Sequence, residues 1–196
     1  MMPIERMRPE DFDAVFRLLA RSFPAGERRD KAGQRALLAD SAYQIDILRA
    51  PSGGVQALMA SWDFGGFVFF EHFAVDPACR NGGIGGQMLD ALLARFDKPA
   101  CLEAELPETE LAARRIGFYE RHGFTVNADY PYFQPTLTPG GSQILLKLAA
   151  ACLRRQQRLQ IGYPFLLGGG EPVVGLLRPL HLLHIQHSLL QRQQFR

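Results

Sequence analysis

Phe67 to Gly86 reads FVFFEHFAVDPACRNGGIGG, and the fold is decided by how the two halves of this stretch meet. From Phe67 to Val75 the residues are nearly all apolar, aromatic or β-branched, the pattern of a strand buried on both faces. Glu71 and His72 interrupt it, and regular alternation predicts that they point to opposite faces. Asp76-Pro77 ends the strand, because proline has no N–H to give to a ladder and pushes its predecessor out of regular pairing. Gly82, Gly83, Gly85 and Gly86 then open directly into a segment with Ile84, Met88, Leu89, Leu92, Leu93 and Phe96 at helical spacing. Strand, glycine loop and helix in that order form a phosphate-binding layout. Backbone N–H groups without side chains beside them approach an anion closely, at the end of the helix where the macrodipole is positive.

What the loop lacks narrows the ligand. A dinucleotide fingerprint needs a third glycine or alanine, and Met88 stands there; a P-loop needs Lys-Ser/Thr after its last glycine, and Gln87-Met88 stands there. Arg80-Asn81-Gly82-Gly83-Ile84-Gly85 fits Arg/Gln-x-x-Gly-x-Gly/Ala instead. Phe73-Ala74-Val75-Asp76-Pro77 precedes it, and a later helix reads Arg114-Arg115-Ile116-Gly117-Phe118-Tyr119-Glu120-Arg121-His122-Gly123-Phe124. On these three segments the sequence resembles the GNAT N-acetyltransferases, over about three-quarters of the chain, residues 3 to 148.

The resemblance implies an α+β fold with a mixed, mostly antiparallel central sheet and flanking helices. It implies acetyl-CoA as co-substrate and an amine of a small molecule or peptide as acceptor. Arg80 and the backbone of Asn81, Gly82, Gly83, Ile84, Gly85 and Gly86 are then expected to hold the pyrophosphate of the cofactor. Phe73, Ala74 and Val75 are expected to offer an N–H to the thioester oxygen. Tyr119 is expected to protonate the departing thiolate, and Glu71 to accept the acceptor's proton directly or through water. Glu27 and Arg28, between the first two helices, border the acceptor in this scheme. Ala112 stands where many relatives carry a cofactor-contacting asparagine; Arg115, where a small residue is usual, brings a charge toward coenzyme A.

Each of these residues also has a purely structural reading. A carboxylate in an apolar strand is costly unless paired or used, so Glu71 belongs either to catalysis or to a buried network with an arginine. Tyr119 lies among Ile116, Phe118 and Phe124 at core spacing. Glu27 and Arg28 suit the solvated start of a helix. His72 reads as a satisfied core histidine, His122 beside Gly123 as a cation at a helix C-terminus, and Cys79 has no neighbour that would activate a thiolate.

Length and composition set the wider bounds. The chain has 196 residues, 47% of them hydrophobic and 21% charged, ordinary values for one globular domain. Cys79, Cys101 and Cys152 have neither metal-ligand spacing nor a disulfide framework, which favours a reducing, cytoplasmic compartment. The N-terminus has no apolar signal core, and no run approaches the ~18 apolar residues of a membrane span. Residues 1–149 carry 16 Lys/Arg against 19 Asp/Glu, and residues 150–196 carry 6 against 1. The first part has mixed charge without a basic stripe, which excludes a nucleic-acid surface. The change in charge suggests a division into a catalytic domain, 1–149, and a basic, leucine-rich extension, 150–196. His181, His184 and His187 recur every third residue without a carboxylate or cysteine beside them, so no metal site is expected. A monomer or homodimer is expected. The rival functions are a catalytically silent acyl-CoA-binding module and a nucleotide-dependent oxidoreductase, which the missing third glycine opposes.

In chain order, Ile4 to Met7 suggests a short strand. Pro9-Glu10-Asp11 starts a helix with Phe12, Val15, Phe16, Leu18, Leu19 and Phe23 on its apolar face. A second helix is expected over Arg28 to Asp40 with Ala36, Leu37 and Leu38 inward. Tyr43 to Leu48, Val55 to Trp62 and Phe67 to Val75 form an antiparallel meander joined by glycine turns. Ala100 to Leu106 is a further strand, and the tyrosine helix runs from Pro107-Glu108-Thr109-Glu110 to Gly123 at C′. Phe124 to Val126 and Ser142 to Leu148 close the sheet as a hairpin around a long loop containing Tyr130, Tyr132 and Phe133.

Overall fold

The computed structural model describes residues 3–96, 98–126, 132–134 and 144–151. They fall into two compact units, one running through Phe96 and one from residue 98 onward. The first unit holds β1 (Ile4–Arg6), α1 (Phe12–Ser22), α2 (Lys31–Ala36), β2 (Tyr43–Arg49), β3 (Val55–Asp63), β4 (Val68–Val75) and α3 (Ile84–Arg95). The second holds β5 (Ala100–Ala104), α4 (Glu110–Arg121), β6 (Phe124–Val126), β7 (Tyr132–Gln134) and β8 (Ile144–Ala151).

The expected meander is present in the first unit. β1 pairs with β2, β2 with β3 and β3 with β4, all antiparallel. α1 lies on β3 and β4 and buries Phe12, Val15, Leu18 and Leu19, which occupy one face at the i, i+3, i+7 spacing of a helix. Its proline and acids form a separate 3-10 turn over Pro9–Asp11. Deleting a side chain such as Leu19, fully buried here, costs about 2–5 kcal/mol.

The second helix is shorter than the expected Arg28 to Asp40. The side chain of Asp30 accepts a hydrogen bond from the N–H of Gly33 and so caps a helix that begins at Lys31. Arg28 therefore stays extended. The inward face also differs: Gln34 and Leu37 are buried, whereas Ala36 and Leu38 are exposed.

β4 contains the irregularity on which the site depends. Its ladder with β3 matches Ala60 to His72 and Ser61 to Phe70, which leaves Glu71 as an extra residue, a β-bulge. The bulge overturns the expectation that Glu71 and His72 face opposite ways, since alternation holds only in an unbroken ladder. His72 Nδ1 lies 3.4 Å from Glu71 Oε2.

In the second unit β8 is the middle strand, antiparallel to β5 and to β6. It runs to Ala151, three residues beyond the expected Leu148, because both neighbours continue the ladder there: Ala151 pairs with Ala100 and with Phe124. Ala149, Ala150 and Ala151 are all buried. β7 pairs with β8 where a loop was expected; in the sequence, prolines at 131 and 135 flank its three residues. α4 begins at Glu110 with Thr109 as its N-cap, accepting from the N–H of Ala112, and Gly123 follows at φ +87°, the expected left-handed C′. Residues 152–196, with Cys152 and the three histidines, lie outside the described residues.

Candidate active site

The cofactor-side residues of the first unit follow one another along β4 and into α3. Asp76 ends the strand by accepting from the N–H of Ala78 at 3.0 Å and pairing with Arg21 at 2.8 Å. These contacts hold its carboxyl below the usual range, the backbone bond contributing most. Arg80 donates Nε–H to the carbonyl of Val75 at 3.2 Å, closing the turn. Asn81 and Gly83 both take left-handed backbone, φ 67° and 73°, and Gly83 is the N-cap of α3. Gly85 approaches β4 closely: a Cβ there would stand 3.3 Å from Val75 Cγ2, a tight contact, and 3.7 Å from Phe73 Cζ. The first turn of α3 is thus brought directly onto the end of β4, with its N–H groups at the positive end of a 12-residue helix. Phe73, Val75 and the stretch Arg80 to Gly86 are brought together at this junction, with the backbone N–H groups of the first turn of α3 beside the end of β4.

The bulge end of β4 is built from charged side chains. Arg29 Nη1 donates to both carboxylate oxygens of Glu71, each at 3.0 Å, and Nη2 donates to Oε1 at 3.0 Å. The two side chains are 8% and 3% exposed, so the pair is desolvated. Burial opposes the charge on Glu71, but the Arg29 guanidinium, with His72 adding to it, holds the carboxyl far below the usual range. His72 donates Nε2–H to the carbonyl of Glu27 at 2.9 Å, which fixes that nitrogen as protonated, and its ring meets that of Phe23 edge-on at 4.7 Å. Arg28 donates to the carbonyls of Phe23 and Arg29 at 3.2 and 3.4 Å and lies over the Phe16 ring. Tyr43, bonded to Gln34 and buried, has its phenol pushed upward by burial. Glu27 and Arg28 therefore join a segment anchored to β4.

Arg29 escaped the sequence reading. Its signal was Glu71 itself, a strand carboxylate that needed an arginine; the sequence offers several, and only folding selects one.

Tyr119 and Arg115 belong to the second unit. The half-buried Tyr119 packs edge-on against Phe118 and Phe124, with centroids 5.3 and 5.8 Å apart. Burial pushes its phenol pKa up to about 12, so the hydroxyl keeps its proton at neutral pH. Arg115 is exposed and pairs with Glu105 at 2.6 Å. Among the described residues no group of three or more metal-ligating side chains occurs, and no helix is long and apolar enough to cross a membrane.

The chain is similar to known acetyltransferases. The family model of the acetyltransferase (GNAT) domain matches residues 43–126. An acetyltransferase of the GNAT family from Bacteroides thetaiotaomicron is 30% identical, covering 81% of this chain and 92% of its own, with a TM-score of 0.70. The ribosomal-protein-S18-alanine N-acetyltransferase of Escherichia coli is 21% identical over 78% of this chain and 94% of its own, TM-score 0.59. The spermidine N-acetyltransferase of Vibrio cholerae, solved with CoA and spermine, is 12% identical over 77% and 95%, TM-score 0.59. No curated protein sequence matches. The fold is the mixed, mostly antiparallel sheet with flanking helices of the acyl-CoA N-acyltransferases. The chain belongs to the GNAT acetyltransferase family and is an acyltransferase.

Proposed function

We propose that this protein transfers the acetyl group of acetyl-CoA to the nitrogen of an amine. The observation that carries the reading is the junction of β4 and α3, where Gly83 takes left-handed backbone and Gly85 lies so close to Val75 that a Cβ would crowd its side chain. Acetyl-CoA supplies, when bound, a thioester carbonyl carbon for the amine to attack and a thiol as leaving group. The N–H groups from Asn81 to Gly86 and the Arg80 guanidinium bind its pyrophosphate. A backbone N–H of Phe73, Ala74 or Val75 stabilises the negative charge that develops on the carbonyl oxygen. As the new C–N bond forms and the C–S bond breaks, the proton of the attacking nitrogen passes to solvent water and the Tyr119 hydroxyl, protonated at neutral pH, gives its proton to the departing sulfur and regains one from solvent. Arg115, paired with Glu105, would bring its guanidinium to the cofactor side only by exchanging that carboxylate for a phosphate of coenzyme A. Two relatives are N-acetyltransferases by name, one of a ribosomal-protein alanine and one of spermidine, and this supports an amine of a small molecule or peptide as acceptor.

The test has two parts. Acetyl-CoA at roughly a hundred times its dissociation constant should stabilise the protein by about 2.7 kcal/mol, read as a rise in melting temperature. Thiol release from acetyl-CoA should then appear with at least one member of a panel of polyamines, aryl amines and peptides with free N-termini. A thermal shift without thiol release on any amine favours the silent binding module; no shift at all removes the cofactor assignment.

A further inference from the structure

We propose that Arg29, Glu71 and His72 form a positioning unit that fixes the segment Phe23 to Arg29 for the acceptor, with Glu71 acting through placement and not as the group that takes the acceptor's proton. The proposal rests on the acetyl-transfer reading above for one point only, that Phe73 to Val75 face the thioester.

A proton acceptor needs a lone pair directed at its donor and a path to it. Glu71 is badly placed on both counts, since three hydrogen bonds from Arg29 reach both of its oxygens and its side chain is 3% exposed. What the carboxylate does hold is the segment before α2. Arg29 is the last residue of that segment, His72 beside the carboxylate donates to the Glu27 carbonyl, and Phe23 packs on the His72 ring. Arg28 closes the segment on itself through the carbonyls of Phe23 and Arg29. The contacts of Arg29, Glu27 and Phe23 converge on positions 71 and 72, immediately before Phe73. The segment is thereby fixed beside the strand residues proposed to meet the reacting carbonyl, where the attacking nitrogen must be held. The strongly lowered carboxyl pKa agrees, because so weak a base gains little from taking a proton.

The experiment uses Glu71→Gln, which keeps the shape and an acceptor oxygen for Arg29 but removes the charge. Amide hydrogen exchange over residues 23–29 should accelerate by roughly tenfold or more, while residues 80–86 and the acetyl-CoA thermal shift stay as in the wild type. On the first panel amine that the wild type acetylates, KM for the amine should rise about tenfold with kcat falling less than about tenfold. Arg29→Lys, which keeps the charge and loses the two-point contact, should lie between the wild type and Arg29→Gln in KM. A kcat loss of about 10²- to 10⁴-fold with unchanged KM would mark Glu71 as the base and overturn the proposal; so would unchanged exchange over residues 23–29. If Glu71→Gln does not fold, Arg29→Met/Glu71→Leu leaves no buried charge unpaired and takes the same two measurements, with the same results supporting or overturning it. Should the wild type acetylate no amine on the panel, the acetyl-transfer reading fails separately, and the exchange data still decide whether the network holds the segment.

Discussion

The two ends of β4 are made in different ways. At the bulge, Glu71 and His72 are buried and committed to side-chain and carbonyl partners on the 23–29 segment. Five residues later, the turn after Val75 works through backbone, with glycines giving close approach and the exposed Arg80 closing it. A buried ion pair fixes position because separating it strands a charge in a poor solvent. A helix start with glycines leaves N–H groups available to a ligand. One strand thus couples a rigid anchor to an open cradle.

The largest effect is expected from a residue at neither end, and it isolates rate from both. Tyr119→Phe keeps the ring against Phe118 and Phe124 and removes the proton donor. Turnover should fall by about 10²- to 10⁴-fold, with melting temperature and acetyl-CoA shift near wild type. Wild-type turnover with chemistry rate-limiting would return the tyrosine to the core. At the bulge end, Arg29→Met leaves Glu71 charged and unpaired, and unfolding in urea should show about 3–5 kcal/mol lost, with the acetyl-CoA shift retained if the variant folds. A loss under 1 kcal/mol on the order of a surface pair would mean that water reaches the carboxylate.

At the cradle the balance reverses. Gly83→Asp puts a side chain and a negative charge on left-handed backbone, which costs only about 1–2 kcal/mol in stability but should abolish the ~2.7 kcal/mol response to acetyl-CoA. A full response in the folded variant would remove the loop assignment. Acid sharpens the contrast further. The Glu71 carboxyl has a folded pKa well below its unfolded value, so its contribution is complete above the unfolded value near 4.3 and is lost as pH falls below it. Melting temperature should therefore drop as pH is lowered from about 5, and Arg29→Met/Glu71→Leu should show a flatter profile; parallel profiles would dissociate acid sensitivity from the pair. The smallest effect is expected at Asp76→Asn. Its partner Arg21 is 60% exposed, so losing the ion pair costs about 0–1 kcal/mol, and the amide oxygen still accepts from Ala78.

Legibility in the sequence followed the same division. The meander, the Asp76-Pro77 stop, the glycine loop and the C′ glycine at 123 could be read because each is a local demand on the backbone, written within a few residues. α2 was misjudged because Asp30 could cap a helix only if the chain before it stayed extended, and the Arg29 anchor on β4 favours that. The bulge was invisible, since an extra residue in a ladder exists only relative to the partner strand. Leu148 looked like the end of β8 because three alanines carry no strong strand preference; two flanking strands supply what the residues themselves do not.

The bulge has one more consequence, for insertions and deletions. Excising a residue from a strand normally turns every side chain beyond it to the wrong face. At position 71 it would not: Phe70 would still oppose Ser61 and His72 would still oppose Ala60, now as consecutive pairs of a regular ladder. The β3–β4 sheet of this protein is complete without Glu71, so the carboxylate occupies a place that strand pairing does not require, and what it holds there is Arg29 and the segment that Arg29 secures.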